Sequence, residues 1–303
     1  MEAVAIGFVA LFILLFLQVP IAFGMAIVGT IGFGHIIGYG PALKSIGNTA
    51  TDMVMVYDFS VLPLFILMGN FVARSGISHD LYETSHAWLG HRRGGLAMAT
   101  IVACGGFSAV CGSSLATVAT MSKVALPPML KFGYDERLAT GSIAAGGTLG
   151  ILIPPSVALV FYGIMTETDI GQLFAAGVIP GVLGIVLYAG AVAVITRINP
   201  EMGPPGERIP WKARIRSLRG IWGMVLLFLI VMGGIYGGVF TPTEAAGIGA
   251  FGAFVIALLR RRLTVRITLD ALADTGRTTA MLLALLIGSL LFANFINVAR
   301  VPN

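Results

Sequence analysis

The stretch Gly146-Gly-Thr-Leu-Gly-Ile-Leu-Ile-Pro-Pro-Ser156 lies in a hydrophobic segment, at about residues 138–163, that is long enough to cross a bilayer. Its two adjacent prolines each remove a backbone N–H donor and clash with the preceding turn, so Pro154 and Pro155 predict a broken helix. Carbonyl groups freed by such a break are tolerated in lipid only where they are buried in protein or line a cavity. Broken helices of this kind bind ions and substrates in secondary transporters, so the stretch favours a transport function.

The composition predicts an all-α polytopic membrane protein. Hydrophobic residues make up 57% of the 303 residues, charged residues make up 11%, and the mean hydropathy is +0.93. The 40 glycines and 14 prolines are typical of close helix contacts and kinks in a membrane bundle. The net charge of +5 comes from Lys and Arg in short loops, which fits positive-inside topology and argues against nucleic acid as a partner.

Cysteine and histidine spacings indicate no metal centre and no cofactor. Cys104 and Cys111 lie seven residues apart in one apolar run, a separation too long for a disulfide on a helix, so free thiols are expected. The histidines show no metal-ligand spacing; they are His35, His79, His86 and His91. The segment from Ala3 to Leu17 has no basic region before it and is predicted to be a spanning helix rather than a signal peptide.

Apolar segments predict the order of the membrane elements. Spans are expected at about residues 3–19, 21–39, 60–74, 176–197, 220–239, 243–259 and 279–297, in addition to the broken helix. A polar, interfacial stretch is expected from Lys44 to Asp58. The loop from Arg197 to Arg219 contains six Arg or Lys residues and is expected in the cytoplasm, which places the N-terminus in the periplasm.

Residues 94–131 are predicted to form a re-entrant hairpin. This apolar run begins and ends near basic residues, so both of its ends are expected on the cytoplasmic side. Cys111-Gly112-Ser113-Ser114 lies in its middle, and the Gly-Ser-Ser turn is therefore the predicted tip.

An internal repeat at an offset of about 220 residues predicts two copies of opposite orientation. Val19-Pro20 falls on Thr241-Pro242, and Leu67-Met-Gly69 falls near Leu286-Ile-Gly288. Inverted repeats with discontinuous helices are typical of secondary transporters. The predicted division is a first repeat at 1–197, a basic cytoplasmic loop at 198–219 and a second repeat at 220–303. The second repeat is expected to be truncated, because it stops before a hairpin or a broken helix.

Four motifs resemble the large membrane subunit of tripartite ATP-independent periplasmic (TRAP) transporters. They are Pro63-Leu-Phe-Ile-Leu-Met-Gly-Asn70 with Arg74-Ser-Gly-Ile77, residues 107–119, residues 148–156, and Thr241-Pro-Thr-Glu-Ala-Ala246. The resemblance implies an elevator-type, sodium-driven importer of organic acids in the bacterial inner membrane. It also implies two partners, a small four-helix membrane subunit and a periplasmic substrate-binding protein. The family's second hairpin and second broken helix are absent here, and Cys111 stands where a serine is expected.

The same residues suit sodium on chemical grounds, because sodium prefers hard oxygen ligands. The hairpin tip offers the hydroxyl groups of Ser113 and Ser114 and carbonyl groups freed by Gly112. The opposing predicted ligands are Gly147, Thr148, Gly150, Pro154, Pro155 and Ser156. Helix N-termini beside the breaks favour a carboxylate substrate. A proton relay is disfavoured, since the cores of both segments contain almost no charged residues.

Structural explanations compete with these site roles. Gly112-Ser-Ser114 also fits small-residue packing, and Pro154-Pro155 also fits a simple kink. Thr241-Pro-Thr243-Glu244 fits a helix capping box, with Thr241 as the N-cap and Glu244 at the third helical position. Asn70 is expected to donate an interhelical hydrogen bond.

Three other functions are weighed against the sodium-driven permease. An intramembrane serine hydrolase would need a base beside Ser113 or Ser114, and no histidine follows His91, so no enzyme activity is predicted. A single-component sodium/carboxylate symporter shares the hairpin and broken helix but needs no binding protein. An inactive truncated fragment is the third alternative.

Overall fold

The computed structural model describes residues 2–299, which form fourteen α-helices and contain no β-strand. The helices are α1 (Glu2–Phe16), α2 (Ile21–Ile37), α3 (Tyr39–Met55), α4 (Val61–Arg74), α5 (Ile77–Leu89), α6 (Gly95–Cys111), α7 (Ser114–Lys131), α8 (Glu136–Leu152), α9 (Val157–Met165), α10 (Ile170–Ile198), α11 (Trp211–Ser217), α12 (Trp222–Tyr236), α13 (Pro242–Leu259) and α14 (Val265–Val298). Short 3-10 helices lie at Tyr57–Ser60 and Pro200–Met202. The predicted all-α polytopic fold is confirmed.

Within the described residues, four helical segments are long and apolar enough to cross a membrane. They are Glu136–Met165, which combines α8 and α9, together with α10, α13 and α14. The number rises to six if two bent helix pairs each count as one span. One of these pairs is α11 with α12, where the chain bends by 49°.

Two helices begin earlier than the hydrophobic pattern predicts. α10 begins at Ile170 rather than near 176, and α14 begins at Val265 rather than near 279. The first three turns of α14 carry Asp270 and Asp274, so a hydropathy criterion excludes a stretch that is nevertheless helical. The expected interfacial stretch from Lys44 to Asp58 is largely the exposed helix α3, in which only Ala42 is buried.

Among the described residues, the first of two compact units comprises residues 2–60 and 276–299. Its core contains Val4, Leu11, Val28, Phe292 and Phe295. In this unit α2 crosses α14 at very short range. A Cβ atom on Gly29 would lie 2.6 Å from the backbone of Leu291, so the contact requires glycine.

The second unit comprises residues 61–275 and contains the hairpin and the broken helix. α6 is buried along almost its whole length, with α5, α7, α8 and α10 packed around it. α4 packs along α13. Arg260, which follows α13, donates hydrogen bonds to Asp80 of α5 and to the carbonyl oxygen of Gly220. The compact units do not follow the predicted repeat boundaries, which remain a prediction.

Candidate functional site

The hairpin tip is a tight turn between α6 and α7. Gly112 has φ +64°, a left-handed conformation that favours glycine, and its N–H donates to the carbonyl oxygen of Ser108. Ser113 is the N-cap of α7 and accepts a hydrogen bond of 3.4 Å from the N–H of Ala116. The carbonyl oxygen of Ser113 accepts both the N–H and the hydroxyl of Thr117. The predicted tip at 112–114 therefore coincides with the turn in the structure.

The break between α8 and α9 occupies residues 153–156, and the peptide bond between Pro154 and Pro155 is cis. In a continuous helix, the N–H of residue 155 would donate to the carbonyl oxygen of Ile151. Proline has no such donor, and the hydroxyl of Ser156 donates to that oxygen instead, at 2.8 Å. Ser156 is fully buried and also caps α9 by accepting from the N–H of Leu159. One serine thus satisfies backbone groups on both sides of the break.

The tip and the break are in direct contact. The N–H of Val157 donates to the carbonyl oxygen of Gly112 at 3.2 Å. A Cβ atom on Gly112 would overlap the carbonyl oxygen of Pro155, and one on Gly150 would lie 2.7 Å from the backbone nitrogen of Ser114. These separations leave no room for a side chain at either glycine. The predicted residues 112–114, Gly150 and Pro155 therefore form one backbone-to-backbone junction, and Pro154 and Ser156 flank Pro155 in the break.

Gly147 and Thr148 have different positions. A Cβ atom on Gly147 would lie 3.6 Å from the carbonyl oxygen of Ser114 and would overlap the side chain of Val118, so Gly147 also faces the hairpin. The hydroxyl of Thr148 instead donates to the carbonyl oxygen of Ala145 and lies 3.1 Å from the hydroxyl of Tyr188 on α10. The structure therefore does not bring the Thr148 hydroxyl to the tip.

Four helix ends meet at this junction. α6 and α8 end there, and the carbonyl groups of a last helical turn carry partial negative charge. α7 and α9 begin there, and the N–H groups of a first turn carry partial positive charge. Residues 111–117 and 146–160 contain no charged side chain. The junction can thus present oxygen ligands to a cation and N–H donors to a carboxylate.

Glycines on neighbouring helices support the junction, and the sequence reasoning missed them. A Cβ atom on Gly69 of α4 would lie 2.6 Å from the carbonyl oxygen of Cys111, directly before the tip. On α10, a Cβ atom on Gly177 would lie 2.7 Å from the carbonyl oxygen of Leu152, and one on Gly181 would contact Ile153. The four-residue spacing of Gly177 and Gly181 was a usable signal, because small residues at this spacing mark close helix contacts in membranes.

The remaining candidate residues make structural contacts. Asn70 donates a 2.8 Å hydrogen bond to the hydroxyl of Thr275 on α14, which is the expected interhelical bond. The predicted capping box is present, since Thr241 accepts from the N–H of Glu244 and the Glu244 carboxylate accepts from the N–H of Thr241. Thr243 is the second residue of α13.

These features define a polytopic α-helical membrane protein in which a helical hairpin meets a broken helix. The sequence profile described as "Tripartite ATP-independent periplasmic transporter, DctM component" matches residues 8–303. The chain belongs to this family.

Three curated relatives show the extent of the similarity. The C4-dicarboxylate TRAP transporter large permease protein of Pseudomonas aeruginosa is 38% identical over 81% of this chain, and 57% of that protein is covered. Its counterpart in Vibrio cholerae is 32% identical over 99% of this chain and 70% of that protein. The ectoine/5-hydroxyectoine TRAP transporter large permease protein of Ruegeria pomeroyi is 33% identical over 97% of this chain and 69% of that protein. The chain thus spans 57% to 70% of the length of these relatives.

Proposed function

We propose that the chain acts as the large permease subunit of a sodium-driven secondary transporter that imports organic acids. The family assignment supports the permease role. One relative is the C4-dicarboxylate permease protein of Pseudomonas aeruginosa and another is the sialic acid permease protein of Vibrio cholerae, which supports carboxylates as the substrate class. The observation that carries the proposal is the junction between the hairpin tip and the break, where the N–H of Val157 donates to the carbonyl oxygen of Gly112.

The proposed sodium site lies where the hairpin tip meets the break. Hard cations take oxygen ligands from carbonyl and hydroxyl groups. The site would draw on Ser113, Ser114 and the carbonyl oxygens around Gly112 on one side, and on Gly147, Gly150 and residues 154–156 on the other. The Thr148 hydroxyl is engaged with Tyr188, so a part for Thr148 would use its backbone carbonyl. Sodium would order the junction before the anion binds at the starts of α7 and α9.

An inverted repeat and an elevator-type mechanism are part of the proposal, and matching helix crossings support the repeat. Gly29 of α2 and Gly249 of α13 lie 220 residues apart, and each is at a close crossing. Gly29 meets α14, which comes directly after the α12–α13 pair. A Cβ atom on Gly249 would lie 2.5 Å from the sulfur of Met68 on α4, which comes after the α1–α2 pair and α3. Each pair thus contacts a helix that lies C-terminal to the other pair, an exchange expected of two related copies.

The proposed partners are a small four-helix membrane subunit and a periplasmic substrate-binding protein. The proposed location is the bacterial inner membrane, with the N-terminus in the periplasm. The Arg197–Arg219 loop supports this orientation, because its six basic residues favour the cytoplasm.

Sodium-driven uptake by the transporter assembled with its partner subunits tests the proposal. Replacing Ser113 and Ser114 by alanine should weaken the dependence of uptake on sodium concentration, because two hydroxyl ligands are lost. Ser122→Ala, on α7 but eight residues beyond Ser114, is the matched control and should leave that dependence unchanged. Unchanged sodium dependence in the Ser113/Ser114 variant would contradict the site. Uptake that requires no binding protein would instead identify a single-component symporter.

A further inference from the structure

Four basic side chains from three segments converge beside α5. His91 and Arg92 lie in the turn after α5. Arg208 lies in the loop between the 3-10 helix Pro200–Met202 and α11, and Arg214 lies in α11. We refer to these four residues as the basic cluster. The guanidinium of Arg214 lies 3.3 Å from Nδ1 of His91. Partial burial lowers the pKa of His91, and the positive charges of Arg214, Arg208 and Arg92 lower it further. The three arginines therefore concentrate positive charge beside His91, whose uncharged Nδ1 can accept a hydrogen bond from Arg214.

Backbone contacts hold the basic cluster in position. The N–H of Gly206 donates to the carbonyl oxygen of Gly90, and the N–H of Gly94 donates to that of Gly203, each at 2.9 Å. These bonds fasten the loop that carries Arg208 to the turn that carries Arg92. Trp88 of α5 packs edge-on against Trp211, at 5.3 Å between ring centroids, and thereby docks α11. The convergence is thus built by the fold.

The basic cluster has no acidic partner among the described residues. Within residues 2–299, the ion pairs are Arg74 with Asp274 and Arg260 with Asp80. Glu207 adjoins Arg208 in sequence but forms no ion pair with the cluster. Arg214 uses its Nε–H on the carbonyl oxygen of Ile209 and one Nη2–H toward His91, which leaves three of its five N–H donors free for an anion.

The basic cluster lies beside a bent helix pair that is long and apolar enough to cross a membrane. α11 leads into the membrane helix α12 through the 49° bend, so it lies next to the start of a span. Trp211 is 61% exposed and Ile215 is 50% exposed, and both are on the helix that carries Arg214. A short helix with exposed aromatic and aliphatic side chains beside arginine is typical of a segment in the membrane interface. A soluble anion would gain nothing from these apolar side chains.

We propose that the basic cluster binds the headgroup phosphate of an anionic phospholipid, while Trp211 and Ile215 contact its acyl chains. The proposal is separate from sodium-driven transport, since it uses no residue of the tip or the break. The bound phosphate would neutralise charges that otherwise repel one another, and it would bridge α5 to α11. Arginine suits this role, because its planar guanidinium matches the geometry of a phosphate.

Native mass spectrometry and thermal unfolding of the purified full chain test the proposal. Phosphatidylglycerol in mixed micelles should remain bound to the unaltered protein and raise its Tm, whereas phosphatidylcholine should do neither. Arg92→Gln should weaken phosphatidylglycerol binding about fivefold, and Arg92→Gln with Arg214→Gln about 25-fold. Arg92 is exposed, so its single variant keeps the test valid if the double variant does not fold.

Arg137→Gln is the matched control, because Arg137 is an exposed arginine at the start of α8, outside the cluster. It should bind phosphatidylglycerol like the unaltered protein. Equal lipid retention by the Arg92→Gln variants and the unaltered protein would overturn the proposal. Stabilisation by inorganic phosphate equal to that by phosphatidylglycerol would overturn the lipid assignment in favour of a soluble anion. Equal stabilisation by phosphatidylcholine would overturn the role of charge.

Discussion

Two pairs of adjacent prolines have opposite effects on the helices that contain them. Pro154 and Pro155 separate α8 from α9, whereas Pro127 and Pro128 lie inside α7, which continues to Lys131. Pro127 removes the donor for the carbonyl oxygen of Lys123, an exposed residue in the middle of α7. Pro155 removes the donor for the carbonyl oxygen of Ile151, and the Ser156 hydroxyl replaces it. The proline pair that breaks its helix is thus followed directly by a serine that takes over a freed carbonyl group.

The first prediction exchanges both pairs for alanine and has the largest expected effect. Pro154→Ala with Pro155→Ala restores two N–H donors, so α8 should extend and displace the hairpin tip. The rise in Tm on adding sodium should be lost entirely in this variant. Pro127→Ala with Pro128→Ala should retain it. Thermal unfolding in sodium chloride and in choline chloride measures the Tm of both variants. If sodium still raised the Tm of the Pro154→Ala, Pro155→Ala variant, the break would not be needed for the response to sodium.

The second prediction concerns the left-handed turn at the tip. Gly112→Ala combines φ +64° with an overlap between the new Cβ atom and the carbonyl oxygen of Pro155, so it should destabilise the fold by about 3 kcal/mol or more. Gly133→Ala is the control, because Gly133 has φ +76° but a Cβ atom added there would have nothing within 4 Å. It should cost only about 1 kcal/mol. Equal losses in chemical unfolding would mean that the contact with the break contributes nothing.

The third prediction compares two glycines of α8. A Cβ atom on Gly150 would meet the backbone of Ser113 and Ser114, so Gly150→Ala should push the hairpin away and cost about 2 kcal/mol. A Cβ atom on Gly141 would have nothing within 4 Å, so Gly141→Ala should stabilise the helix by about 0.5 to 1 kcal/mol. Opposite signs in the two unfolding free energies are expected. The same sign for both would place the hairpin farther from α8 than the structure does.

The fourth prediction has the smallest expected effect and isolates the serine beside the prolines. Ser156→Ala removes the donor to Ile151 and the cap of α9, and it should cost about 1 to 2 kcal/mol. Ser142→Ala is the control, since Ser142 is also buried but its hydroxyl only donates to the carbonyl oxygen of Ala139 within α8. It should change stability by less than about 0.5 kcal/mol. A neutral Ser156→Ala would remove the explanation given for the different behaviour of the two proline pairs.

Local chemistry made the break, the tip and the capping box predictable from sequence. Proline geometry acts at the residues that carry it, glycine supplies the left-handed turn at Gly112, and the Thr241–Glu244 pair satisfies its own helix end. Each of these signals lies within the segment that it shapes. Local pattern therefore located the tip and the break separately, each to within a few residues.

Features that depend on distant partners were not predictable. Thr148 lies among the site residues in sequence, but its hydroxyl meets Tyr188, forty residues away. The start of α14 was predicted too late, because the polar residues of its first turns do not look like part of a membrane span. One of them, Asp274, forms an ion pair with Arg74 of α4. The packing of α4 on α13 joins segments that the predicted repeat boundaries separate. Each outcome is decided by tertiary contacts rather than by local pattern.

Hydrogen–deuterium exchange with and without sodium tests the central claim most directly, because it reports on the amides of the junction one peptide at a time. The comparison uses sodium chloride and choline chloride at the same ionic strength. The account predicts slower exchange in sodium for peptides covering residues 112–117 and 156–160, with no change around Pro127 and Pro128. Identical exchange of the junction peptides in the two salts would contradict a sodium site between the hairpin tip and the broken helix.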